Sequence, residues 1–157
     1  MSTHTLTESI LGNPVFAGLS QTEAEDLAHH CEVLLLPPER FIFKQGDQSI
    51  DIYVLFRGRL EINVRDMAGV NTKVGYLEEG EVFGEMGVLE SCPRSASVST
   101  AEDAVLLRIP GEGFSTMTAS GHPAIHRLLQ WSIHKACNRL RGLDTRLDHL
   151  FKEEDEE

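Results

Sequence analysis

The chain has 157 residues, 41% of them hydrophobic and 25% charged, an ordinary globular composition with enough length for one domain and a real core. Its formal net charge is −11, of which residues 152–157 supply −4 and leave the body at −7, a poor match for nucleic acid or an anionic membrane surface, both of which reward clustered Lys and Arg. No apolar run is long enough to span a bilayer, the N-terminus lacks the pattern of a signal peptide, and Cys31, Cys92 and Cys137 have no metal-type spacing; reduced thiols and a cytoplasmic location are expected.

A short helix is expected around residues 7–11, broken at Asn13-Pro14. Ser20-Gln-Thr-Glu23 has the pattern of a capping box, so a second helix begins after Ser20, with Leu19, Ala24, Leu27 and Ala28 on its apolar side. His29-His30 ends it, where positive charge suits a helix C-terminus better than two adjacent histidines suit a metal. From Glu32 the period changes. Residues 33–36, Phe41–Phe43, 52–56 and 60–64 are short β-type runs, and further strands fit 72–77, Val82–Phe83, 95–100 and Ala104–Ile109. Turn residues separate them, and many short strands at near-regular spacing predict an antiparallel sandwich or barrel. Pro110-Gly-Glu-Gly113 reads as the close of the β region.

Residues 80–98 hold the parts of a site for a small phosphate ester. Gly84 lets the backbone turn sharply and approach a ligand. A short helix starting after it aims free N–H groups, those of Met86 and Gly87, at an anion. Pro93 stiffens the chain before Arg94, whose guanidinium grips a phosphate with two parallel hydrogen bonds, and Ser95 adds an amide and a hydroxyl. Glu85 repels phosphate, so it is read as an acceptor for a sugar hydroxyl that pairs with Arg94 when the site is empty. Taken singly, each piece also fits a bland reading: an ordinary turn, a loop and a surface ion pair of little worth.

The ordered set is more specific. Phe83-Gly84-Glu85, a small residue at Gly87, the apolar pair Val88-Leu89 and Pro93-Arg94-Ser95-Ala96, with the Arg nine residues after the Glu, resembles the phosphate-binding cassette of the cyclic nucleotide-binding domain family. Phe41 with Gly46-Asp47, then Ile52-Tyr-Val-Leu with Gly58 and Leu60, resembles the first half of the same family's β-roll. The resemblance implies an α+β, mainly β fold: an eight-stranded antiparallel jelly-roll barrel with N-terminal helices and a long C-terminal dimerisation helix. In a single domain over 1–157 it places the β-roll at about 32–110, the helix at about 122–151 and an acidic tail at 152–157. It puts Glu85 on the ribose 2′-hydroxyl, Arg94 on the cyclic phosphate, and the amides of Gly87 and Ser95 toward that phosphate. Leu89 matches the apolar position that couples the cassette to a neighbouring helix.

Gly121-His-Pro123 opens a helical stretch. Leu129, Ile133, Ala136, Leu140, Leu143, Leu147 and Leu150 recur at steps of 4 and 3, the seam of a two-stranded coiled coil. The plainer reading is a single helix packed on its own β domain; both are expected, the early part covering the β-roll and the later part pairing in parallel with a second copy. The resemblance lays this helix over the bound base, with Asn138, Arg141, Asp144 and Thr145 as candidate contacts. Val88, Leu89, Leu140, Leu143 and Asp144 are the expected coupling residues. His122, His126 and His134 share one broad face but are read as structural, and no metal is expected.

The functional expectation is a receptor for a 3′,5′-cyclic nucleotide, cAMP first and cGMP second, relaying binding to a protein partner. No catalytic constellation supports an enzyme. No basic recognition helix follows residue 150 in this sequence, so direct DNA binding is not expected. The alternative is a dimeric interaction module of the same fold that ignores nucleotide.

Overall fold

The computed structural model describes residues 3–154. Within that range the side chains of Asp144, Leu147 and Leu150 are not described, so the coupling role expected of Asp144, the last two seam positions and the charges of the tail fall outside the described residues. Helix α1 (Thr3–Leu11) ends before Asn13, whose side chain accepts the Val15 N–H at 2.9 Å and opens a 3₁₀ turn at Pro14–Phe16. Helix α2 (Gln21–His29) begins on the expected capping box: Ser20 Oγ accepts the Glu23 N–H at 3.2 Å, and the Glu23 carboxylate accepts the Ser20 N–H at 2.7 Å.

Strands β1 (Glu32–Leu36), β2 (Phe41–Phe43), β3 (Ile52–Arg57), β4 (Leu60–Arg65), β5 (Asn71–Leu77), β6 (Val82–Phe83), β7 (Ser97–Thr100) and β8 (Ala104–Ile109) form two antiparallel sheets, ordered β1-β8-β3-β6 and β2-β7-β4-β5. The expected closed barrel is not formed. Ladder hydrogen bonds stay within each sheet, and the edge strands β2 and β6 are only three and two residues long. Strand β7 starts later than expected because the Arg94 backbone is pinned to a turn instead: its N–H donates to Asp47 O and its C=O accepts from Gly46 N–H, both at 2.8 Å.

The two faces of β3 and β8 explain their unbroken apolar runs. Tyr53, Leu55, Ala104 and Leu106 point between the sheets, with Phe43, Leu60, Leu77, Phe83 and Val98. Ile52, Val54, Leu107 and Ile109 point the other way, into a helical layer with Ile10, Phe16, Leu27, Phe114, Met117 and Leu128. A strand buried on both faces loses the two-residue alternation; β4, with Leu60 inward and Glu61 partly in water, keeps it.

Helix α4 (Gly111–Ser120), not expected from the sequence, starts within the Pro110–Gly113 stretch that closes the β region. Its start is capped from far away: Asp51 Oδ1 accepts the Gly111 N–H at 3.1 Å. Its glycines serve packing. A Cβ on Gly111 would lie 2.5 Å from the Ile50 side chain, and one on Gly113 would lie 2.9 Å from His30 O. Helix α5 (Pro123–Glu154) follows; His122 Nδ1 accepts the Ala124 N–H at 3.1 Å and Nε2 lies 3.4 Å from Asp26. Ala124, Ile125 and Leu128 are buried, whereas Ile133, Leu140 and Leu143 are more than half exposed.

Two glycines should respond oppositely. Gly111→Ala forces backbone and Ile50 apart and should destabilise the fold by about 1–3 kcal/mol. Gly142, exposed in α5 with nothing within 4 Å of a built Cβ, should gain about 0.5–1 kcal/mol on replacement by Ala. Thermal unfolding of both variants checks the pair of signs.

Candidate functional site

Strand β6 delivers the chain to Gly84, which adopts φ +83°, and helix α3 (Glu85–Glu90) follows until Ser91 at φ +51° ends it. Pro93 and Arg94 then return the chain to β7. Arg94 is only 5% exposed. Its Nε donates to Ser49 Oγ at 2.9 Å, its Nη1 to Gly84 O at 2.7 Å and its Nη2 to Asp51 O at 2.7 Å. The guanidinium lies over the Phe43 ring, 4.2 Å from its centroid, with Phe43, Tyr53 and Phe83 forming an aromatic cluster beneath. Burial lowers the Arg94 pKa, opposed by the charges of Tyr53, Asp51, Glu85 and Asp47.

A guanidinium carries five N–H donors. Three are taken, one from each nitrogen, so each terminal nitrogen keeps one N–H. That is the donor pair a phosphate accepts in a bidentate contact. The protein fixes the plane of the group before any ligand arrives, so little of its rotamer entropy is lost on binding.

Both glycines of the cassette exist for this arginine. A Cβ on Gly84 would stand 2.8 Å from Arg94 Nη1 and 2.9 Å from Asp51 O; one on Gly87 would stand 3.0 Å from Ser49 O and 3.2 Å from Arg94 Nη1. The acceptors are fixed in turn. The Asp51 carboxylate receives Arg108 Nε at 3.0 Å as well as the start of α4, and Arg108 Nη1 reaches Glu32 at 2.7 Å.

A cavity of about 330 Å³ opens beside Arg94. Of the residues singled out from the sequence, Gly84, Glu85, Met86, Gly87, Arg94 and Ser95 all line it. Larger hollows of about 410 to 600 Å³ also open on the surface, but none of them contains Arg94 or any residue from Phe83 to Ala96. The chemistry, not the size, selects the smaller one.

Two expectations need correction. Glu85 and Arg94 form no ion pair; the guanidinium is turned into the fold toward neutral oxygens, and Glu85 acts on it only through its field. Of the expected coupling residues, Leu89, Leu140 and Leu143 are 52%, 61% and 52% exposed, while Val88 packs on the helical core. Asn138, Arg141 and Thr145 do not line the cavity; Asn138 pairs with His134 Nε2 at 3.2 Å and Thr145 Oγ1 donates to Arg141 O at 3.0 Å.

The residues of α5 that do line the cavity are Lys135 and Arg139. Lys135 Nζ donates to Val82 O at 2.8 Å and lies 3.7 Å from Glu81. Burial pushes its pKa down, against the raising charges of Glu85 and Glu81. The signal for this pair is the i, i+4 spacing, which places both cations on one helical face, away from the Ile133–Leu140 seam.

Residues 33–120 match the cyclic nucleotide-binding domain. The chain belongs to this family. It is 31% identical over 143 residues to the cyclic AMP receptor protein of Thermus thermophilus, covering 91% of this chain and 64% of that one. It is 27% identical over 114 residues to a cAMP-dependent protein kinase regulatory subunit of Pyricularia oryzae, covering 73% of this chain but 28% of the relative. The crystal structure of the Thermus thermophilus catabolite activator protein superposes with a TM-score of 0.70 at 30% identity, over 87% of this chain and 62% of that one. The chain therefore spans less than two thirds of these relatives.

Gly84→Ala should lower the melting temperature by on the order of 5 °C, because a positive φ and a crowded Cβ act together. A melting temperature equal to that of the unaltered protein would show that Arg94 is not held in this packing.

Proposed function

We propose that this chain, acting as a single domain, is a receptor for a 3′,5′-cyclic nucleotide, with cAMP the first ligand to test and cGMP the second. The observation that carries the reading is the Arg94 guanidinium, held by three protein acceptors with one N–H left on each terminal nitrogen beside a cavity. A cyclic phosphate presents its two exocyclic oxygens, one axial and one equatorial, to that pair. Glu85, on the same wall, is the acceptor for the ribose 2′-hydroxyl, and Met86, Ile62 and Val74 supply apolar surface for a base. Support for cAMP comes from the names of the two relatives; adenine and guanine are separated only by experiment.

The site binds rather than reacts: Glu85 and Arg94 are suited to hold a sugar hydroxyl and a cyclic phosphate. Ligand entry draws α3 inward, and Val88, which packs on the same helical core as Leu128 and Leu129 of α5, carries the shift to the terminal helix. A protein partner reads α5. A second copy covers the exposed Ile133, Leu140 and Leu143 in a parallel pair. The net charge of −11 suits a protein partner better than nucleic acid. The free thiols Cys31, Cys92 and Cys137 suit the reducing cytoplasm.

The three internal bonds of Arg94 also suit a nucleotide-independent dimeric module in which that arginine is purely structural. Calorimetric titration with cAMP and cGMP separates the two readings. The receptor reading expects saturable binding, weakened about 100-fold or more by Arg94→Ala, the worth of a bidentate charge-assisted contact. No binding of either nucleotide selects the module; equal affinity in the variant keeps the receptor but removes Arg94 from the phosphate contact. Independently, Leu140→Glu should convert a dimer to a monomer in sedimentation velocity without lowering the melting temperature; a sedimentation coefficient unchanged by the substitution removes this face from the dimer.

A further inference from the structure

Three consecutive residues, Ser49, Ile50 and Asp51, touch both the phosphate site and a helix that lies outside it. On one side, Ser49 Oγ accepts Arg94 Nε at 2.9 Å and Asp51 O accepts Arg94 Nη2 at 2.7 Å. On the other, Asp51 Oδ1 accepts the first amide of α4, that of Gly111, at 3.1 Å. Ile50 lies against the same glycine: a Cβ on Gly111 would stand 2.5 Å from the Ile50 side chain and 2.9 Å from Ile50 O. The Asp51 carboxylate is tied to β8 as well, through Arg108 Nε at 3.0 Å. None of the described residues of α4 lines the cavity beside Arg94.

We propose that the start of α4 positions the Arg94 guanidinium through this loop, so that nucleotide affinity depends on how α4 sits and the bound nucleotide in turn acts on α4. This deepens the receptor reading and rests on it. The loop has two contacts at each end and no slack between them. Shifting one end alone breaks a hydrogen bond or drives backbone atoms into overlap, so the three residues move as a unit. Asp51 O fixes where the remaining N–H of Nη2 points, and Ser49 Oγ fixes the plane of the whole group. Displacing either acceptor turns the pair of N–H groups away from the phosphate oxygens. Linkage makes the effect mutual: the factor by which α4 changes the affinity is the factor by which the ligand biases α4. Helix α4 leads through His122 into α5, so this route to the terminal helix is separate from the one through Val88.

Two glycines of α4 separate this coupling from a general loss of stability. Gly111→Ala crowds Ile50 and pushes on the loop, whereas Gly113→Ala crowds His30, whose carbonyl oxygen would lie 2.9 Å from the added Cβ. Neither glycine lines the cavity. The measurements are thermal unfolding and calorimetric titration with cAMP and cGMP on the intact chain. Both substitutions should lower the melting temperature. Only Gly111→Ala should also weaken nucleotide binding, by about 5-fold or more, with Gly113→Ala within about 2-fold of the unaltered protein. Should Gly111→Ala fail to fold, Asp51→Ala takes its place: it removes the α4 cap but keeps the carbonyl on Arg94, and it leaves Arg108 its bond to Glu32. The same loss of affinity is then expected, and an unchanged affinity overturns the proposal. Gly111→Ala and Gly113→Ala proteins with equal affinities, both unchanged or both reduced alike, also overturn it and leave the loop as a packing contact. An unaltered protein that binds neither nucleotide overturns the receptor reading itself, a different and distinguishable failure.

Discussion

Everything around the cassette follows from burying one guanidinium. Arg94 is nearly out of water, and a charge there without acceptors is strongly unfavourable. Ser49 Oγ, Gly84 O and Asp51 O meet that need, and each imposes a condition on its neighbours. The carbonyl of residue 84 can face the arginine only where the chain turns with positive φ, hence glycine. The loop carrying Ser49 and Asp51 must lie directly against the cassette, hence no side chain at Gly87. The Phe43 ring closes the floor. What remains is a pair of N–H groups over a cavity, with their direction already fixed.

The same loop reaches further than the site. Asp51 offers its carbonyl to Arg94 and its carboxylate to Arg108 and to the first amide of α4. Ile50 packs on Gly111 at that helix start. Strand β8, the cassette and the helix that leads into α5 therefore meet at three consecutive residues, Ser49 to Asp51. A charged, partly desolvated cluster of this kind fixes orientation well, because losing one member leaves the others unpaired.

Local rules made much of this legible in the sequence. The Ser20–Glu23 box, the break at Asn13-Pro14, the positions of the strands and the membership of the cavity wall from Gly84 to Ser95 all depend on residues close together in the chain. Helix α4 was not legible, because its cap comes from Asp51, sixty positions upstream, and its two glycines read locally as a turn while their actual use is contact with Ile50 and His30. The Glu85–Arg94 pairing failed for the same kind of reason. Spacing brought the two together, but whether a guanidinium faces a carboxylate or two backbone carbonyls and a hydroxyl is decided by burial, which spacing does not encode. Lys135 was hidden by the heptad reading, which draws attention to the apolar seam and treats the other faces of the helix as solvated.

Helix α5 joins these points because its environment changes along its length. Its first turns, through Ala124, Ile125 and Leu128, are part of the core and cannot move without exposing it. Beyond them Ile133, Leu140 and Leu143 stand in water, a face that no element of this chain covers among the described residues. Lys135 and Arg139 lie just past that boundary and line the cavity. A rigid rod anchored at one end, carrying cations over a phosphate site near the anchor and a bare apolar stripe beyond it, acts as a lever. On the receptor reading, small displacements at Lys135 become larger ones along the stripe, since each further residue adds 1.5 Å of arm. On that reading the ligand acts where little motion is needed, and a partner on the stripe meets the motion where it is greatest.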